Sequence, residues 1–297
     1  MNSIEFSIWP NISIDLDQPV VFKSLTEARE MLEVYTYHYR QHSSELTIRN
    51  TQLNPQHSDS SAIPVTVVTN DAVVLRDTAL ALLARWSTAL DQFLESRGDS
   101  LSERERRGAA TLKLRELDSF LALNAHPSEG NLMTDEQSVW DKYYPTFEHM
   151  VALGESISAS YSSSSSTASP SSSPLSPRSM QSTQTFSLDN GLLSCIFNVA
   201  THCRDPFLRR RAIHVLRNST IQEGVWNSAV MTSIAEKWVE IEEEGLGTIR
   251  SCVDVPVAAR LMEILPVFDI DHPSALVYFS HSPLFDLGTV RREIVKW

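Results

Sequence analysis

Four stretches in the first half of the chain repeat apolar residues every three or four positions, the spacing that gives a helix one buried face. In the first, Ser24 stands three residues before Glu27, a capping box, and Ala28, Leu32, Tyr35 and Tyr39 then fall on one side. Asn70 or Asp71 caps the second, whose stripe is Leu75, Leu82, Trp86, Leu90 and Phe93 and whose stop is Gly98. A further capping box, Ser102 with Glu105, opens the third, with Ala110, Leu114, Leu117 and Leu121 inward. The fourth opens on Thr134 and Gln137 and repeats the pattern at Trp140, Tyr143, Phe147 and Met150. It contains Pro145, which is expected to kink it. Short connections between long amphipathic helices point to antiparallel packing.

The pattern stops over residues 156–187, "SISASYSSSSSTASPSSSPLSPRSMQSTQTFS". Serine at that density leaves little apolar surface to offset the entropy of ordering, so a disordered insert is expected. Ser169, Ser173 and Ser176 each precede a proline and are candidate sites for a proline-directed kinase. Residues 1–155 and 188–297 are then the two halves of one helical body, interrupted by the insert.

Helical spacing returns in "LDNGLLSCIFNVATHC" and in the stretch "HCRDPFLRRRAIHVLRNS", which holds five arginines and one aspartate in eighteen residues. Asp205 stands at an N-cap and Pro206 at the first helical position. Winding at about 100° per residue gathers Leu208, Ala212, Ile213, Val215 and Leu216 into the buried arc. Arg210 and Arg217 fall opposite, Arg211 lies to one side, and Arg209 projects beside the apolar arc itself. A surface that tracks phosphates would gather its cations on one side, so this scatter implies a buried arginine that needs a carboxylate. The next helix turns Trp226, Val230, Ile234, Trp238 and Ile241 inward and carries Glu236, Glu240, Glu242, Glu243 and Glu244. Structural ion pairing is therefore expected between the two helices, with Arg209 and Arg211 as the cations and Glu240 and Glu243 as the carboxylates. Beyond Gly245 a shorter helix is expected at residues 257–265, and "SALVYFSHSP" and "REIVKW" have the β-branched and aromatic content of a small hairpin. The fold class expected is all-α, an irregular bundle of antiparallel amphipathic helices with at most that hairpin.

Composition narrows the chemistry. A formal net charge of −12 disfavours non-specific attraction to nucleic acid. No run of about 18 apolar residues is present to span a bilayer, and the first residues lack the basic start of a signal peptide. Three cysteines, Cys195, Cys203 and Cys252, contain no CxxC pair. Cys195, His202 and Cys203 are the one local group of metal-ligand types, and they lack a fourth ligand, so no metal is assigned. The serine-hydrolase elbow, the HExxH helix, the phosphate-binding loop and the GxGxxG turn are all missing. No catalytic residue and no cofactor is assigned, and the tryptophans are read as core.

Several runs together resemble a known family: "VFKSLTEARE", "LLARWSTALDQFL", "FSLDNGLLSCIFNVATHCRDPFLRRRAIHVL" and "EGVWNSAVMTSIAEKWVEIEEEG". Over residues 22–245 the chain resembles the region downstream of the zinc cluster in fungal C6 zinc-finger transcription factors. The most specific part is Cys203 to Pro206, the triple arginine 209–211 and the run Glu223 to Trp226. The resemblance implies an all-helical regulatory body in the nucleus, with protein partners or a small effector. In that family DNA is read by a separate module with six cysteines, which three scattered cysteines cannot build. The resemblance thus implies a regulatory protein without its own DNA reader. The alternatives are an all-α enzyme without a recognisable motif and a passive helical scaffold.

Overall fold

Capping chemistry sets where the helices begin. A computed structural model describes residues 3–5, 13–15, 19–53, 70–124, 139–164, 185–187, 191–219, 221–224, 226–281 and 290–297. Strands β1 (Ser3–Glu5) and β2 (Ser13–Asp15) pair antiparallel ahead of helix α1 (Leu25–Leu53). At its start Ser24 Oγ accepts from Glu27 N at 3.2 Å, while the Glu27 carboxylate reaches back to Lys23 N at 2.7 Å. Helix α2 (Asn70–Arg97) ends at Gly98, whose φ of 45° is the left-handed value a glycine adopts without cost. Helix α3 (Glu103–Asn124) opens on the Ser102 and Glu105 box, with reciprocal bonds at 2.8 and 3.2 Å.

The chain divides into two units, residues 1–112 with 119–132 and residues 113–118 with 133–297. In the first, α1 and α2 bury Ala28, Leu32 and Tyr35 against Leu82, Trp86, Leu90 and Phe93. Trp86 also donates its ring N–H to Ala28 O at 2.7 Å, so the largest side chain of that core is satisfied as it is buried.

In the second unit a short 3-10 helix, Val139–Tyr143, leads into α4 (Tyr144–Ser164). Pro145 therefore lies in the first turn, where its missing N–H has no partner to lose, and it starts the helix instead of kinking it. Helix α4 also continues beyond residue 156, where the apolar pattern was read as ending. Ile157 is buried on the stripe that runs from Met150 through Gly154, and it carries the helix onward. Strand β3 (Thr185–Ser187) pairs parallel with β4 (Ile221–Glu223), which pairs antiparallel with β5 (Trp226–Asn227). Between them lie α5 (Leu192–His202) and α6 (Pro206–Asn218), and α7 (Ser228–Glu243) follows. A Cβ built on Gly154 would stand 2.6 Å from Ile196 Cδ1 and 3.4 Å from Val215 Cγ1. The bare backbone of α4 thus lets α5 and α6 approach closely.

The expected all-α class needs correction at the C-terminal end. Residues 257–265 do not form a helix: a 3-10 turn, Val257–Ala259, passes into β6 (Glu263–Phe268). Strands β7 (Ser274–Ser280) and β8 (Arg291–Lys296) complete an antiparallel sheet in the order β6-β7-β8. Its inner face, Ala275, Val277, Phe279 and Val295, packs on Val230, Ile234, Trp238 and Ile241 of α7. The helix has one apolar stripe and the sheet one apolar face, and each covers the other. No helix among the described residues is long and apolar enough to cross a membrane.

Candidate functional site

The arginine stretch folds into a buried ionic cluster. Asp205 accepts from Phe207 N at 3.1 Å and Leu208 N at 2.9 Å, which fixes the first turn of α6 after Pro206. From that start Leu208, Ala212, Ile213, Val215 and Leu216 turn inward, and Arg209 goes in with them, with none of its surface exposed. The carboxylate that meets it is Glu242, in the last turn of α7 and equally buried, at 2.7 Å.

Glu242 is the hub. Its two oxygens accept from Arg209 Nη2, from Arg204 Nη2 at 2.8 Å and from Leu261 N at 2.8 Å. Arg204 lies just after α5 and also donates to His202 O at 2.7 Å and Leu261 O at 3.1 Å. Arg209 spans back to Ala200 O at 3.3 Å, and its Nη1 lies 3.6 Å from Glu243. A third buried guanidinium, Arg260, grips Asp141 with two bonds of 3.1 and 2.8 Å and donates to the carbonyls of Val255 and Cys252. Burial alone would raise the Glu242 carboxyl, but Arg204 and Arg209 together hold it below the ordinary carboxylate range. The arrangement ties the end of α5, the start of α6, the end of α7 and the strand entry at Leu261 to one anion. Its charges largely offset one another, so it braces the unit, although Arg204 Nε, Arg209 Nη1 and Glu243 Oε1 are buried without a hydrogen-bond partner.

Of the residues assigned to ion pairing, Arg209 and Glu243 join this cluster, and Arg211 and Glu240 do not. Arg211 is two residues on from Arg209, about 200° around the helix. It therefore faces α4, where it grips Glu155 at 3.0 and 2.9 Å. Glu240 is rotated by the same amount from Glu242 and pairs with Lys237 on its own helix at 2.6 Å. Arg210 reaches Glu243 at 2.6 Å with half its side chain in solvent, and Arg217 pairs with Glu236. Arg204 and Arg260 escaped sequence reasoning because they stand just outside helices, and Asp141 because it lies in a short 3-10 turn whose period differs from that of an α-helix. Glu242 was one carboxylate among five, and only the winding of α7 picks it out. Glu223 was missed as well. Buried at the end of β4, it accepts from Leu192 N at 2.8 Å and Leu193 N at 3.2 Å. It supplies the N-terminal acceptor of α5 that Gly191 lacks. Burial raises its carboxyl despite those backbone bonds.

Cys195, His202 and Cys203 are held by packing. Burial raises the Cys195 thiol well above its ordinary value and pushes Cys203 up to about 12, so neither is a thiolate. His202 lies 4.3 Å from the Trp140 ring and 6.4 Å from Trp238, with Nδ1 3.0 Å from Asn198 O. Desolvation and the neighbouring Arg204 lower it to about 4. Among the described residues no group of three His, Cys, Asp or Glu could hold a metal ion. Ser169, Ser173 and Ser176 lie outside the described residues.

No protein-family model matches the chain, and no solved structure matches it. Over 72 residues it is 36% identical to the aspercryptin biosynthesis cluster-specific transcription regulator of Emericella nidulans. The matched stretch is 24% of this chain and 12% of that protein, so the chain spans a small part of the relative it matches. At the level of broad class, the likeness is to a fungal transcription regulator.

Proposed function

We propose that the chain is a regulatory body of the fungal C6 zinc-finger type, acting in the nucleus through contacts with protein partners and not by catalysis. The observation that carries this reading is the 36% identity over 72 residues to a cluster-specific transcription regulator. The fate of the arginines supports the second half of the proposal. Arg204, Arg209, Arg210, Arg211 and Arg217 are each engaged by a carboxylate of the same chain. A net charge of −12 then leaves this chain a poor ligand for phosphates, and DNA reading falls to another module or another protein.

Two measurements test the proposal. Fused to an unrelated DNA-binding module in a fungal reporter strain, the chain is expected to change transcription from that module's site. A fusion that leaves transcription unchanged while accumulating at normal levels removes the regulator reading. The purified chain alone is expected to show no sequence-dependent binding to duplex DNA. A sequence-dependent, salt-sensitive complex below about 1 μM removes the second half.

A further inference from the structure

The C-terminal sheet buries one face on α7, and among the described residues no element packs on the other. With Ala275, Val277, Phe279 and Val295 turned inward, alternation turns Glu263, Leu265 and Val267 of β6 outward, with Leu276 and Tyr278 of β7 and Arg292, Ile294 and Lys296 of β8. The register sets Val267, Leu276 and Ile294 in one row across the three strands and Leu265, Tyr278 and Arg292 in the next. Ile294 is 67% exposed and Val267 51%, and Ile270, just past the end of β6, is exposed as well. A contiguous exposed apolar row rimmed by charge marks a contact surface.

The charges on this face are sorted by strand. Carboxylates lie along the β6 side, on Glu263 and on Asp269 just past the strand, whose N–H bonds Ser274 O at 2.9 Å. Cations lie along the β8 side, on Arg292 and on Lys296, which is in register with Ser274. The face is thus acidic at one edge, basic at the other and apolar between.

We infer that the occupant of this face is a second copy of the chain, packed sheet on sheet about a two-fold axis that runs along β7. That axis lays β8 of each copy over β6 of the other. Lys296 then meets the partner copy's acidic edge near Asp269, Arg292 comes beside Glu263, and Ile294 covers Val267. A two-fold axis across the strands instead would set β6 on β6 and β8 on β8, with like charges opposed, and is rejected. Three strands of this length span about 15 by 20 Å, so the pairing covers about 300 Å² on each copy and about 600 Å² in total, well below a standard interface and in the range of a weak, transient one. The dimer is therefore weak, with a dissociation constant of roughly tens to hundreds of micromolar.

The test is the mass of the full chain in solution by sedimentation from about 5 to 500 μM, a range that brackets such an affinity. The weight-average mass is expected to climb toward that of two chains and to fall back at high salt. Ile294→Ser and, separately, Arg292→Glu are each expected to raise the dissociation constant at least about tenfold, with thermal melts little changed, since Ile294 is exposed and Arg292 gives up only surface contacts such as its stacking on Tyr278. Combining Glu263→Lys with Arg292→Glu is expected to restore association. A chain that stays monomeric over the whole range, or a dimer indifferent to Ile294→Ser and Arg292→Glu, overturns the inference. Neither result bears on the reporter assay above.

Discussion

Glu242 shows what one buried carboxylate can hold. Two fully buried guanidiniums depend on it, so removing it leaves uncompensated charge in the interior, and Glu242→Ala is expected to cost about 3 to 5 kcal/mol. Arg209→Ala is expected to cost a similar amount for the same reason. Arg210→Ala and Glu240→Ala break pairs with a solvent-exposed member and are expected to cost about 0.5 kcal/mol or less. Urea midpoints at unchanged slope read the difference, and four equal small values would mean that the cluster is solvated. His202 supplies a second test. Its folded value of about 4 lies below the ordinary 6.5, so below pH 6.5 the unfolded chain takes up a proton that the folded chain refuses. Stability therefore falls as pH drops from 6.5 toward 4, by about 2 to 3 kcal/mol. His202→Gln should flatten that part of the pH profile, and an unchanged slope would place the lost stability on other groups.

At the scale of elements, local chemistry that can be read along the chain was the most faithful guide. The Ser24, Ser102 and Asp205 caps, the Gly98 stop and the inward arc of α6 all depend on residues within a turn of one another. Asp205→Ala removes both backbone acceptor contacts at the start of α6 and is expected to cost about 1 kcal/mol, while Asp205→Asn costs a few tenths. Equal losses for the two, in the same melts, would mean that charge matters there more than capping. What was illegible depends on distant partners. Residues 263–268 form a strand because β7 pairs with them, and "EILPVF" alone carries no period that separates a strand from a short helix. Pro145 reads along the chain as a kink inside a helix, and only the 3-10 segment before it shows that the proline sits in a first turn instead. Arg204 and Asp141 had no local signal at all, because their partners Glu242 and Arg260 lie far along the chain.

At the scale of the whole molecule, the second unit is built from chain on both sides of the serine-rich segment. Helix α4 precedes it, and α5 and α6 follow it. These helices are packed at Gly154, Ile196 and Val215 and joined by the Glu155–Arg211 pair. Met150, Val151 and Ile157 of α4 are as buried as Leu193, Ile196 and Leu216 beyond the segment. Removing α4 would therefore strip one wall from that core, and α4 without α5 and α6 would expose its own apolar stripe. A single site for a specific protease, placed within residues 165–184, cuts the backbone without touching any of these contacts. The two pieces are expected to co-elute on native sizing and to separate only in denaturant. Gly154→Val, which drives a branched side chain into Ile196, is expected to weaken the nicked complex more than the intact chain, because the nick removes the tether that holds α4 near its partners. Pieces that separate under native conditions would show that α4 adds little to the core, and would leave the Glu242 cluster with α5, α6 and α7 as the self-sufficient part of this unit.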